Sequence, residues 1–131
     1  MQLRYLRTRF FVLAVTTVLA GCGPAESETA NVKVDLAFNP SSPQAGDVDV
    51  SLQLAEPGGA PLAGAEVRLE GNMNHAGMKP SFADLEEVEP GRYAGTLDFT
   101  MGGDWFVLVT AKMPDGNRME RKIDVPGVKA R

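Results

Sequence analysis

From Asn31 onward, apolar and polar residues alternate with a period of two, the repeat of a strand that buries one face. The run "VKVDLAF" sets Val32, Val34, Leu36 and Phe38 on one side and Lys33 and Asp35 on the other. "VDVSLQL" repeats the pattern with Val48, Val50, Leu52 and Leu54, and "AEVRLEG" with Val67 and Leu69. "PSFADLEEV", "RYAGTLDF", "DWFVLVTAK" and "RMERKIDV" continue it. Between the runs lie "NPSSPQAGD", "EPGGAPLAG", "EPG" and "PDG", whose Pro, Gly, Asn and Asp residues carry turn chemistry.

About seven strands at roughly ten-residue spacing, with no segment of helical period, predict an all-β domain. An immunoglobulin-like two-sheet β-sandwich buries that many one-faced strands. Phe106 to Val109 are apolar on both sides, as a strand inside a sheet requires. The acidic run "DLEEVE", Asp84 to Glu89, lacks the glycine and alternating oxygen donors of a calcium loop and reads as a solvated strand face.

The first residues have another pattern. Arg4, Arg7 and Arg9 precede an apolar run from Phe10 to Leu19, and "LAGC" closes it at Cys22. This is the layout of a secretory signal peptide, too short for a spanning helix. Ala20 and Gly21 before the chain's sole cysteine resemble the lipobox of bacterial lipoproteins, which implies cleavage before Cys22 and lipidation of that residue. The expected organisation is a signal peptide over 1–21, a flexible tether over 22–30, and one sandwich domain over 31–127. "GPAESETAN" is small, polar and without period, as a tether should be. The expected location is the periplasmic side of the cell envelope, lipid-anchored. By lipoprotein convention Gly23 in place of Asp leans towards the outer membrane.

Without residues 1–21 the chain holds 10 basic against 17 acidic residues, a formal charge of −7. That balance argues against nucleic acid as a partner, since phosphates demand a basic face. One cysteine allows no intrachain disulfide and no thiolate metal site. Any metal chemistry then falls to Met, His or carboxylate.

"GNMNHAGMKP", residues 71–80, holds the only histidine in the chain, between Met73 and Met78. In extended backbone Met73 and His75 share a face, with Cα atoms about 6–7 Å apart. Gly77 tolerates a bend that would return Met78 towards them. Two thioethers and an imidazole suit Cu(I) far better than Zn, Ca or Mg. Thioether sulfur needs no deprotonation and forms no disulfide, which suits an exported carrier. Met101, in the "TMGGDW" turn, is a candidate fourth ligand if both loops share one end of the sandwich; its alternative role is a core plug. Met113 and Met119 flank the Pro114–Gly116 turn and read as packing residues. Trp105 reads as a buried strand residue, or as a cap lying against bound copper by a cation–π contact.

From about Asp47 to Val125 the chain resembles the FixH/YtkA-like domain family of bacterial envelope proteins. The likeness rests on "PLAGAEVRLEGNMNHAGMKP", "VEPGRYAGTLDFTMGGDW" and "RKIDV". It implies an immunoglobulin-like sandwich linked to copper handling, near haem–copper oxidase assembly or copper tolerance. By that likeness Met73, His75 and Met78 inherit the copper-ligand role, and Met101 and Trp105 match the family's "M.G.W" segment. Many oxidase-linked relatives carry a spanning N-terminal helix where this chain has a lipobox. Some copper-binding relatives have further histidines near the motif; the single His75 weighs against tight Cu(II) binding.

Catalysis is not expected. The domain has no cysteine nucleophile and no second histidine for a proton relay. The expected function is a lipid-anchored Cu(I) carrier that passes its ion to an envelope partner. The competing expectation is a sandwich that binds another protein and no metal.

Overall fold

The structure, a computed structural model, describes residues 31–131. The expected signal peptide, lipidated Cys22 and tether therefore lie outside the described residues. Seven strands follow in chain order: β1 (Lys33–Asn39), β2 (Gly46–Ala55), β3 (Glu66–Asn72), β4 (Ser81–Glu89), β5 (Arg92–Phe99), β6 (Gly103–Lys112) and β7 (Arg118–Val128). All named strand pairs are antiparallel, and the order of neighbours is β1-β2-β5-β4-β3-β6-β7. The all-β expectation holds, and each strand falls on an alternating run.

The seven strands form two layers because β4 belongs to both. Its first half pairs with β3, from Ser81 opposite Gly71 to Leu85 opposite Val67. Its second half pairs with β5, with a register break between Glu87 and Glu89. β4 thus closes one side of the sandwich. On the other side the outer strands β1 and β7 run the same way without a shared ladder. They are tied at one end by Lys129, whose N–H reaches the Pro43 carbonyl at 3.0 Å and whose carbonyl accepts from Ala45 at 2.7 Å. At the other end the Arg121 guanidinium donates to the Val32 carbonyl at 3.2 Å.

The alternation converts directly into a core. Val48, Val50, Leu52 and Leu54 from β2 meet Leu97 and Phe99 from β5, and Val67 and Leu69 from β3 meet Val107, Val109 and Ala111 from β6. Met113 and Met119 are buried, 7% and 4% exposed, so they pack, as the sequence suggests. β6 lies between β3 and β7; its inward residues Trp105, Val107, Val109 and Ala111 are buried, while Phe106 and Leu108 on the outer face are half-buried, Phe106 beneath the Lys122 ammonium at 4.6 Å.

The two poles differ. One carries the β3–β4 loop, the β5–β6 turn and the C-terminal residues. The other carries the β2–β3 loop, the β4–β5 and β6–β7 turns, and Asn31. At this second pole Tyr93, fully buried, donates its hydroxyl to the Leu62 carbonyl at 2.7 Å and accepts from the Ala65 N–H at 3.0 Å. Glu87 stands beside it. One carboxylate oxygen accepts from the Gly64 N–H at 2.9 Å and from the Gly91 N–H at 3.4 Å. "DLEEVE" is therefore strand, with one carboxylate holding two loops rather than a calcium ion.

The Gly64 N–H, with the Tyr93 hydroxyl and the Gly91 N–H, holds the Glu87 carboxyl below the ordinary glutamate range against an opposing effect of burial. A depressed folded-state pKa adds stability above the unfolded-state value and loses it as pH falls through the folded one. The contribution of Glu87 should therefore be complete at neutral pH, begin to fall as pH drops through the ordinary glutamate value of about 4.3, and be lost only below the lower folded-state value. Urea unfolding of wild type and Glu87→Gln should show separate midpoints at pH 7 that draw together as pH falls below about 4; a gap that stays constant in acid would contradict this.

Candidate metal centre

At the first pole the chain leaves β3 after Asn72, opposite Phe106 of β6, and makes the loop that holds the candidate ligands. Met73 is half-buried, His75 is exposed and Met78 is half-buried. The Met78 N–H donates to the His75 carbonyl at 3.4 Å, closing a one-turn bend across Ala76 and Gly77. Gly77 has φ +82°, which an L side chain rarely adopts, so the bend depends on glycine there. Pro80 then delivers the chain to β4.

The β5–β6 turn comes to the same end because β6 is the ladder partner of β3. Met101, 44% exposed, sits at its tip. Two residues on, Gly103 has φ +134°, and the Met73 methyl lies 2.7 Å from the position a Cβ on Gly103 would take. Met73 therefore rests on the backbone of the turn that carries Met101. The structure brings Met73 and the Met101 turn together, and it places His75 and Met78 on the loop that Met73 begins.

Trp105 lies beneath this rim, 2% exposed. Its ring meets Phe99 edge-on at 5.2 Å and 89°, and lies 3.6 Å from where a Cβ on Gly71 would stand. Its indole N–H donates to the Met101 carbonyl at 3.0 Å. The indole thus joins the base of the 73–80 loop to the Met101 turn from the core side.

Sequence reasoning singled out Gly77 at this end but gave Gly102 and Asp104 no role. Gly102 leaves room for the C-terminal residues, since a Cβ there would stand 2.6 Å from the Ala130 nitrogen. The Asp104 carboxylate accepts from the Gly127 N–H at 2.9 Å and fixes the end of β7. The available signal was the Gly-Gly pair directly before an aromatic strand, a mark of close backbone approach. Among the described residues no group of three or more His, Cys, Asp or Glu is placed to hold a metal ion. A donor set at this rim consists of thioethers and one imidazole, the chemistry of a soft monovalent ion.

The YtkA-like family matches residues 26–110, which include β1 to β5, the 71–80 loop, Met101 and Trp105. No curated protein matches the chain. Among solved structures, the soluble domain of PmoD from Methylocystis sp. is similar at 12% identity with a TM-score of 0.46, over 74% of this chain and 90% of that one.

Proposed function

The chain belongs to the YtkA-like family, and from that footing we propose that it is an envelope copper-binding protein carrying one Cu(I) at the methionine rim. Met73, His75 and Met78 supply the donors, and Met101 completes the set from the facing turn. The observation that carries this reading is the seat of Met73 on Gly103, which unites the two methionine-bearing segments at one end of the sandwich. Thioethers and imidazole are neutral ligands, so a monovalent ion is held without a buried carboxylate. Trp105 is a positioning residue that fixes both segments from below.

The carrier is lipid-anchored through Cys22 on the periplasmic side and catalyses no reaction. It hands its ion to an envelope acceptor serving haem–copper oxidase assembly or copper tolerance. Exposed donors permit release by stepwise ligand exchange, one bond to the carrier replaced by one to the acceptor. Met101 and His75 are the accessible members of the set.

Titration of the protein with Cu(I) against a competing chelator tests the site. His75→Ala and Met78→Ala should each weaken binding at least tenfold, about 1.4 kcal/mol. Met113→Leu, at the opposite pole, should leave it unchanged. Wild-type affinity in both rim variants would remove the proposal. An ion that binds only the folded state adds about 2.7 kcal/mol at a hundred times its Kd, so thermal melting with Cu(I) gives a second readout.

A further inference from the structure

We propose that β1 is a self-pairing edge: two copies of the chain join antiparallel through residues 33–39, with Leu36 opposite its own counterpart. The proposal is independent of the copper reading.

The sandwich has two outer strands, tied to each other beyond the ends of β1, and only β7 carries guarding residues within its own length. β7 carries a charge in its inward row, where Arg121 alternates with buried Met119 and Val125, and a proline at Pro126. Inward charges and prolines are the usual devices by which a sheet edge refuses further strands. β1 has neither. Between Lys33 and Asn39 there is no proline, no glycine and no inward charge. Its inward row, Val34, Leu36 and Phe38, packs against the core yet stays only half-buried. Among the described residues β1 has a strand partner on one side alone, β2.

The occupant follows from register. A new strand must keep inward residues opposite inward residues, because a one-residue slip turns every side chain over. For two antiparallel copies of β1 this leaves pairings centred on a single residue. Centred on Asp35, the two Asp35 carboxylates would face each other, which is unfavourable. Centred on Val34, Phe38 would extend past the start of the opposing strand. Centred on Leu36, the whole strand is used. Leu36 then meets Leu36 and each Val34 meets a Phe38, a favourable aromatic–β-branched pair. On the outer row Asp35 meets Ala37 and Lys33 meets Asn39, with no like charges opposed. A strand of seven residues gives a seam about 24 Å long. That buries less than the roughly 800 Å² per partner of stable complexes, so the pair is a weak, exchanging dimer. Both copies are acidic overall, so added salt should favour association.

Sedimentation of the purified full chain in mild detergent, up to roughly millimolar protein, reads the equilibrium. Ala37 is exposed on the outer row, opposite Ser51 of β2, so it can be changed without touching the core. Ala37→Asp places a new carboxylate opposite Asp35 at two points of the seam and should weaken association roughly two- to thirty-fold. Ala37→Lys, which sets an opposite charge against Asp35 at the same two points, should strengthen it by a similar factor. In a Cys22→Ser background, Asp35→Cys and Ala37→Cys chains should form a disulfide when mixed and not when separate. A chain that stays monomeric throughout, equal affinity in the two Ala37 variants, or crosslinking as strong in the unmixed chains would each overturn the proposal.

Discussion

Replacing Trp105 with alanine should lower the free energy of unfolding by about 3–5 kcal/mol, the usual cost of removing a large core aromatic. The indole is buried, stands edge-on to Phe99 and supports Gly71, so its removal opens a void between both layers at the methionine pole. The same substitution removes the donor to the Met101 carbonyl. Trp105→Phe separates the two effects. It keeps most of the packing but loses the hydrogen bond, worth about 1 kcal/mol. If the indole positions the copper site, Trp105→Phe should weaken Cu(I) binding more than its small stability loss predicts. Chemical denaturation and chelator competition on both variants decide this. A phenylalanine variant with unchanged copper affinity would reduce Trp105 to a packing residue.

Gly91→Ala should be nearly as damaging, at about 2–5 kcal/mol. Gly91 has φ +77°, which alone disfavours any L side chain. A Cβ there would also stand 2.6 Å from the Pro61 Cβ and 2.9 Å from the Leu54 carbonyl oxygen, and backbone cannot yield as a flexible side chain can. The Gly91 carbonyl accepts from the Leu54 N–H at 2.8 Å, so displacing the turn also strains the ladder end of β2. Gly116→Ala makes a matched control: it shares a positive φ, +90°, yet meets nothing within 4 Å. Its smaller loss in the same melts would isolate the backbone term from the collision. Equal losses would show that the Pro61 contact contributes nothing.

The strands were legible because their chemistry is local. Val48, Val50, Leu52 and Leu54 declare a buried face within seven residues, and Pro114–Gly116 marks a turn with no help from the rest of the chain. Trp105 was legible as a buried strand residue, and Met113 and Met119 as packing. What escaped depends on residues far apart in sequence. The change of layer within β4 has no marker in "DLEEVE", where Glu86 to Glu89 are all exposed and the alternation fades. The role of Glu87 needs Gly64, 23 positions away, to be known as a neighbour. The seat of Met73 on Gly103 follows only once β3 and β6 are ladder partners, which fixes the β3–β4 loop and the β5–β6 turn at the same end. A four-ligand site requires that coincidence, and strand order, which no local pattern encodes, is what supplies it.

Asn31 stands at the pole opposite the methionine rim, and β6 spans the distance between the poles with 10 residues, about 33 Å of strand. If the rim carries an ion as proposed, a domain attached upstream of Asn31 and held upright would present it some 30 Å beyond Asn31. Under that reading a recipient would have to project at least that far to collect the ion. Shortening the connecting segment would hardly alter the transfer rate to a tall recipient but would cut off a low-lying one.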